Sequence, residues 1–390
     1  MSKARLLFVS LTCALVVIFG YAMWKDAARD WVKYQRQFAR SLKGDERKAA
    51  PSGVQQIMIP ALHTIDRCMT CHVAIDKPQL ALAEQPLTAH PGDYLKWHPI
   101  EKFGCTSCHD GQGLATTVTA AHGDAKHWED PLLRGPLVQA ACGRCHGNIA
   151  EINAPLLVKG KQLVAEKGCY GCHTIKGFGG TISQDLSDVG AKPLLQIDAT
   201  FVTGPETRAN WLFQKFKNPQ RIEPGHPEEQ PPIPPSAMPN FGLTDEEAQA
   251  LTVYMLSLTG ADLPVSYVVP AKAEPPAPTY ASSLEAGCAV FKKYGCAACH
   301  GIDGRGGRRN WNSATIQEEP PLTYVKYGYS KEELITFIKR GSQPLAKLNP
   351  RGATPPLYMP AWGERISEQE LSDLADYLIS LAPAETSSAK

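Results

Sequence analysis

The chain has 390 residues, with 40 Lys and Arg against 39 Asp and Glu and a formal net charge of +1. That balance leaves no electrostatic footprint for nucleic acid, and no such partner is expected. The length predicts two to four domains. With 32 Gly, 32 Pro and twelve Cys and little strand-type alternation, those domains should be small and mainly α, each with a limited apolar core of its own.

The first element is an apolar run, Leu6 to Trp24, behind Lys3 and Arg5. As a helix its 19 residues span about 28 Å, enough to cross a bilayer core. Gly20-Tyr21-Ala22 offers a signal-peptide cleavage site. The run is long for a signal core, however, and helical period continues beyond it with Trp31, Tyr34, Phe38 and Leu42 on one stripe. The reading favoured is therefore a retained transmembrane anchor over 1–24, set in membrane lipid, followed by an amphipathic helix and linker over 25–52. The segment after the anchor is the more basic side, against the positive-inside rule, but large domains are translocated regardless of such charges. Cys13 follows Ser10-Leu11-Thr12, a poor lipidation signal, so a lipid anchor is not expected.

Five Cys-x-x-Cys-His motifs follow. The first is Cys68, Cys71 and His72; the second is Cys105, Cys108 and His109; the third is Cys142, Cys145 and His146. The fourth is Cys169, Cys172 and His173, and the fifth Cys296, Cys299 and His300. Two thiols three positions apart suit thioether bonds to the two vinyl groups of one haem, with the adjacent His reaching the iron. Zinc ribbons need two such knuckles per metal and no His after each, and a redox dithiol would sit in a βαβ pattern, which is absent. Five covalently bound c-type haems are expected, held by these ten cysteines, with His72, His109, His146, His173 and His300 on the irons.

Equal steps of 37 residues separate Cys68, Cys105 and Cys142, which groups the first three motifs into one three-haem module over 53–154. Asp110-Gly111-Gln112-Gly113 reads as a tight loop inside it. Over 155–262 the pattern changes. A helix through Leu157 and Leu163 leads into Cys169, then come a Gly-rich loop at 176–180 and a helix around Trp211 to Phe216. Met238-Pro239 then precedes a closing helix capped at Thr244, with Leu251, Tyr254, Met255 and Leu258 inward. The Pro-rich stretch 263–280 reads as a semi-rigid linker. The same plan returns over 281–384: Gly287 and Phe291 before Cys296, a Gly-rich loop at 301–307, a helix from Lys331 to Arg340, Met359-Pro360, and a last helix with Leu371, Leu374, Tyr377, Leu378 and Leu381. Residues 385–390 form a tail.

A six-coordinate haem needs a second ligand. Met238 and Met359 stand 65 and 59 residues after their motif histidines, each before Pro and a closing helix, and are read as distal ligands. Inside the three-haem module Met69 lies within its own motif. The histidines there are His63, His90, His98, His122 and His127. Three of them give bis-His coordination; His90, His98 and His122 are chosen, with His63 and His127 in reserve and His226 set aside. Cys288 reads as a small buried helix residue, and Lys292, Lys293, Arg305, Arg308 and Arg309 as either a docking face for an acidic partner or a solvated surface.

With leading helix, CxxCH, Gly loop, Met-Pro and closing helix in order, 155–262 and 281–384 resemble class I cytochrome c domains. In that family the carbonyl of a Pro before a Leu orients the motif His. Pro320-Pro321 keeps the pattern, whereas Ser183-Gln184-Asp185-Leu186 departs from it, which puts the surroundings of the fourth haem in question. The stretch Arg29 to Phe38 with the three haems resembles membrane-anchored multihaem cytochromes of respiratory quinol-oxidising complexes. The expected architecture is thus mainly α: a haem-organised multihaem module, then two class I cytochrome c domains, behind an N-terminal transmembrane helix. The resemblance implies an inner-membrane protein with its haem domains in the periplasm, electron transfer rather than catalysis, a cytochrome b or other quinol-oxidising membrane subunit as donor, and a soluble cytochrome or terminal oxidase as acceptor. Two rivals are a dihaem peroxidase, which needs an open iron that Met ligation denies it, and the electron-accepting subunit of a periplasmic dehydrogenase.

Overall fold

The protein is described from a computed structural model covering residues 2–125, 128–226, 228–229, 233–271, 278–306, 308–352 and 354–383. His127, part of the Pro-rich stretch and the C-terminal tail lie outside the described residues. The chain divides into two compact units, Met1–Gly135 and Pro136–Lys390.

The first unit begins with α1 (Lys3–Ala27), a 25-residue helix with no buried residue, whose most apolar window has a mean hydropathy of 2.4. Among the described residues it alone is long and apolar enough to cross a membrane. It is followed by α2 (Asp30–Ser41), amphipathic as its spacing predicts, with Gln35 and Phe38 buried. Gln35 Nε2 donates to the carbonyls of Gly53 (2.7 Å) and Thr70 (2.9 Å), which ties this helix to the first Cys-x-x-Cys turn. Strands β1 (Ile57–Ile59) and β2 (Thr64–Asp66) form a short antiparallel hairpin in the register Ile57 to Asp66. The other α-helices described in the unit are short, Gly44–Lys48, Tyr94–Trp97, Ile100–Phe103, Thr106–His109 and Val118–Ala121. Its apolar core cluster is small, built on Phe38, Val73, Ala74 and Leu87. So little buried hydrocarbon does not offset the ordering cost of a unit this size without further apolar surface.

The second unit repeats one plan. Helix α3 (Gln139–Cys145) carries the third motif and precedes α4 (Pro155–Glu166), α5 (Arg208–Lys217) and α6 (Asp245–Leu256). Thr244 and Glu247 close a reciprocal cap on α6, and Leu251, Tyr254, Met255 and Leu258 are buried as its pattern predicts. Helices α7 (Ser283–Lys293), α8 (Lys331–Arg340) and α9 (Glu368–Ser380) follow, the last two with the same Ser-x-x-Glu cap. The leading and closing helices of each half meet at a glycine. A Cβ on Gly160 would lie 2.1 Å from the Ala250 carbonyl oxygen, and one on Gly287 would lie 2.0 Å from that of Asp373. Phe291, Leu334, Trp362, Leu371 and Leu374 centre the core of the C-terminal half.

The third motif packs within this second unit although its 37-residue step groups it with the first two. Gly143 faces Ser257, just beyond α6, where a Cβ would approach within 2.9 Å. Val269 pairs with the chain at His146, donating to the Cys145 carbonyl (2.9 Å) and accepting from Gly147 N–H (2.8 Å). The first part of the Pro-rich stretch is therefore structured, with a turn at Val265–Tyr267 and Tyr267 buried.

Candidate haem sites

In the first unit the fold brings histidines together in pairs. The rings of His72 and His122 have centroids 6.5 Å apart, and those of His109 and His90 are 6.2 Å apart. Imidazole nitrogen binds a transition metal at about 2 Å, so two imidazoles sharing one iron from opposite faces place their centroids roughly 6 to 6.5 Å apart. Each pair joins a motif histidine to one of the three chosen from sequence. Burial pushes the pKa of His72 down, with the neighbouring His122 and His109 adding to it against a hydrogen bond at the Pro86 carbonyl. His109 is lowered likewise by burial and by His90. Neutral imidazole is the form that ligates a metal. His90 Nδ1 meets the Pro91 carbonyl at 2.9 Å, which leaves Nε2 for the iron. His98 Nδ1 contacts the Tyr94 carbonyl at 3.1 Å, and its ring packs against Phe103. His63 lies exposed at the β1–β2 turn with φ 50°.

The ten motif cysteines are all half-buried, and none is joined in a disulfide. In the first motif burial, with Asp30 adding to it, pushes the Cys71 thiol up to about 11. The Ser107 hydroxyl, which donates to the Phe103 carbonyl at 2.7 Å, also lies 3.8 Å from Cys108 Sγ. Sulfur takes part there as a weak acceptor, a role that a thioether sulfur fills as well as a thiol does. Cys142 and Cys145 stand one turn apart on α3, which spaces their thiols as the third motif requires.

Local sequence explains where the histidines fall. Asp110 (φ 53°) and Gly111 (φ 81°) turn the chain sharply after His109, as the Asp-Gly pair predicts. A Cβ on Gly111 would lie 2.7 Å from the Ala121 carbonyl, so glycine lets the loop close against the segment that presents His122. Leu132 N–H to His122 O (2.9 Å) and Leu133 N–H to His109 O (2.7 Å) hold both histidine segments to one strand of chain. Between the first two motifs lies Asp66, which sequence reading did not single out: it is 1% exposed and bonded to the backbone of both.

In the second unit His173 Nδ1 donates to the Gln184 carbonyl at 2.7 Å. This corrects the expectation that the missing Pro alters the fourth site, because the acceptor is a backbone carbonyl and any residue supplies one. At His300 the opposite holds. Its Nδ1 is buried without a hydrogen-bond partner among the described residues, and the Pro320 carbonyl faces it without closing a bond of ordinary geometry. Met359 is fixed by Ser342, whose N–H donates to the Met359 carbonyl (2.8 Å) and whose Oγ accepts from Met359 N–H (2.9 Å). The Met238 carbonyl accepts from Gln220 Nε2 at 2.5 Å. Burial lowers the pKa of His173, and the cationic Lys215 adds to that effect.

The fourth and fifth motifs meet backbone to backbone. A Cβ on Gly295 would lie 2.3 Å from Gly171 N, and one on Gly171 would lie 2.3 Å from the Gly295 carbonyl oxygen. The Cys172 thiol hydrogen-bonds with that of Cys299, which pulls the pKa of Cys172 down and pushes that of Cys299 up. Along this junction Tyr170 meets Phe178 edge to face at 4.9 Å between centroids, and Phe178 lies tilted against Tyr294 at 5.1 Å. Burial pushes the Cys169 and Cys296 thiols up to about 12, the reverse of what a zinc thiolate or a nucleophilic dithiol needs.

Other expectations change. Cys288 is half-buried and hydrogen-bonds with Tyr377 rather than lying fully inside. Of the basic set, Lys293 pairs with Glu370 (2.7 Å), Arg305 with Asp303 (2.7 Å), and the Arg309 guanidinium lies over Trp311 at 3.8 Å. These three have partners in the chain, so less of the set than its sequence suggests is free to form a docking face.

Cysteine pairs at thioether spacing, each followed by a half-buried histidine, define a protein that fits covalently held haem. Residues 157–259 and 284–382 both match the Cytochrome c family, together just over half the chain, and the chain belongs to that family. Membership carries covalently bound c-type haem and haem-based electron transfer. No curated protein matches the chain. Among solved structures, a chain of the Kuenenia stuttgartiensis reducing HAO-like protein complex is similar at 18% identity and a TM-score of 0.19, over 58% of this chain and 96% of that one.

Proposed function

We propose that this chain is a membrane-anchored pentahaem electron carrier, taking electrons from a quinol-oxidising membrane partner at its bis-His end and releasing them at its His/Met end. The observation that carries this reading is the pairing of His72 with His122 and of His109 with His90 at the separation two axial imidazoles require. It supports haem beyond the two family-matched domains, and the His90, His98 and His122 set supplies the distal imidazoles of the first three motifs. Met238 and Met359 complete the other two sites.

Bound haem supplies one-electron chemistry; the chain supplies ligands, orientation and a dry setting. The Pro91 and Gln184 carbonyls hold their imidazoles by Nδ1, so Nε2 stays directed away from the backbone. Thioether ligation favours Fe(II) more than imidazole does, so the potential rises from the His-ligated sites to the Met-ligated ones. The packing of Gly171 on Gly295 supports a short path between the last two sites. A cytochrome b or similar quinol-oxidising subunit is the proposed donor, and a periplasmic cytochrome or terminal oxidase the proposed acceptor.

The test is to purify the protein from membranes, measure haem per chain as the pyridine haemochrome, and titrate it by spectroelectrochemistry. Five haems with the Met-ligated pair highest are expected. Two haems, or Met-ligated centres below the rest, would overturn the reading, and the co-purifying subunits identify the donor.

A further inference from the structure

The first two Cys-x-x-Cys turns start on one buried carboxylate. Asp66 closes strand β2, and its side chain reaches both motifs. Oδ1 accepts from Cys68 N–H at 3.0 Å, while Oδ2 accepts from Cys105 N–H at 2.8 Å and Thr106 N–H at 2.9 Å. One residue thus satisfies backbone donors from two motifs 37 residues apart. The thiols follow the backbone: a carboxylate oxygen of Asp66 and the sulfurs of Cys68 and Cys105 all lie within 4.8 Å of one another. Both sulfurs are the first of their pairs, so they would bond equivalent edges of two haems, and those edges meet at the carboxylate.

The surroundings are built for this side chain. Gly104, at φ +65°, precedes Cys105, and a Cβ there would lie 2.6 Å from Ile59 Cδ1 and 3.2 Å from Asp66 Oδ2. Only a residue without a Cβ lets the second motif approach so closely. Among the described residues no Lys, Arg or His pairs with Asp66. Burying an unpaired carboxylate is costly unless hydrogen bonds compensate. Burial does raise its pKa, yet the N–H groups of Cys68 and Thr106, the Cys68 thiol and the Cys105 N–H together outweigh that and hold the group below the usual carboxylate range. A neutral cap on either turn would have avoided the cost.

We infer that Asp66 is a positioning residue for the first two haem sites, fixing their cysteine pairs edge to edge and placing a negative charge where those edges meet. The inference rests on the haem reading of these two motifs. A fixed negative charge favours Fe(III) over Fe(II), so the same carboxylate lowers both potentials and sets this end of the chain to receive electrons.

Asp66→Asn in the full-length protein tests it. Haem at each motif is assigned by mass spectrometry of haem-bearing peptides, and potentials are read by titration monitored optically and by EPR. Two midpoint potentials are expected to rise together while the low-spin signals keep their g values. Concerted loss of haem from the Cys68 and Cys105 sites, with the other three loaded, would equally support shared positioning. Unchanged potentials at full loading, or loss at one site alone, would overturn it. Asp66→Glu keeps the charge on a longer arm and is expected to move the potentials less than Asn does; equal or larger rises would also overturn the inference. Absence of haem from both sites in the unaltered protein would instead sink the haem reading beneath it.

Discussion

What a ligating histidine does is set at its other nitrogen, and here that partner is mostly main chain. The Gln184 carbonyl holds His173, and the Pro91 carbonyl holds His90. Because the acceptor is backbone, Gln184→Ala should leave the spectrum and potential of the fourth haem unchanged in a titration. His122→Ala should instead convert one low-spin haem to a high-spin centre in EPR, and His90→Ala a second one, whereas His63→Ala leaves all signals in place. The motif cysteines and histidines were legible because thioether chemistry dictates their spacing. The pairings were not, since His72 and His122 stand 50 residues apart and nothing in that interval states which ring faces which. Asp66 was invisible for the same reason: an Asp two residues before a Cys is ordinary until the fold brings Cys105 and Thr106 to it.

Among elements, the long helices were readable and the short ones were not. Helix α8 occupies the predicted Lys331–Arg340, and α6 starts at its predicted Thr244 cap, because apolar period and capping residues are local signals. The short helices of the first unit carry no period to read. Gly287 was readable as part of a leading helix, but nothing in sequence showed that it and Gly160 set how closely the helices approach. Gly287→Ala gains helix propensity but drives a methyl against the Asp373 carbonyl, so a net destabilisation of about 1–3 kcal/mol is expected. Gly328→Ala, with nothing within 4 Å, should fall within about 0.5 kcal/mol of the parent. Denaturation followed in the Soret band separates the two. Glu370 adds a pH dependence. It caps α9 at Ser367, pairs with Lys293 on α7 and accepts from the Tyr294 hydroxyl at 3.1 Å. Burial raises its pKa, but Lys293 and the Ser367 cap outweigh this and hold it lowered. A depressed folded value means stability that is present at neutral pH and lost as pH falls through it. Glu370→Gln should therefore cost about 1 kcal/mol at neutral pH, typical of a lost cap, and the difference should close below about pH 4.

At the scale of the molecule, even spacing in sequence and packing in space divide the chain differently. The 37-residue step groups three motifs, while helix α3, carrying the third, is packed on α6 in the second unit. Spacing records where haem ligands recur, not which helix they lean on. The other whole-molecule question is the fate of α1. Leu6, Phe8, Leu11, Leu15, Ile18 and Phe19 are each about 60% exposed or more, a state that water penalises and a bilayer satisfies. Its polar side chains are already adapted to hydrocarbon, since the Ser10 and Thr12 hydroxyls donate to the carbonyls of Leu6 and Phe8 at 2.9 Å. Cleavage after Ala22 would remove that surface, leave the amphipathic α2 at the new N-terminus, and release the chain from the lipid. Retention keeps it fixed beside a quinol-oxidising partner, which the proposed function requires. Peptide mass spectrometry of the membrane-extracted protein should therefore recover segments N-terminal to Ala22, and removing residues 2–27 behind a replacement cleavable signal should move the protein to the soluble fraction with its haem spectrum intact. A mature chain starting after Ala22, or continued detergent dependence without α1, would count against the anchor.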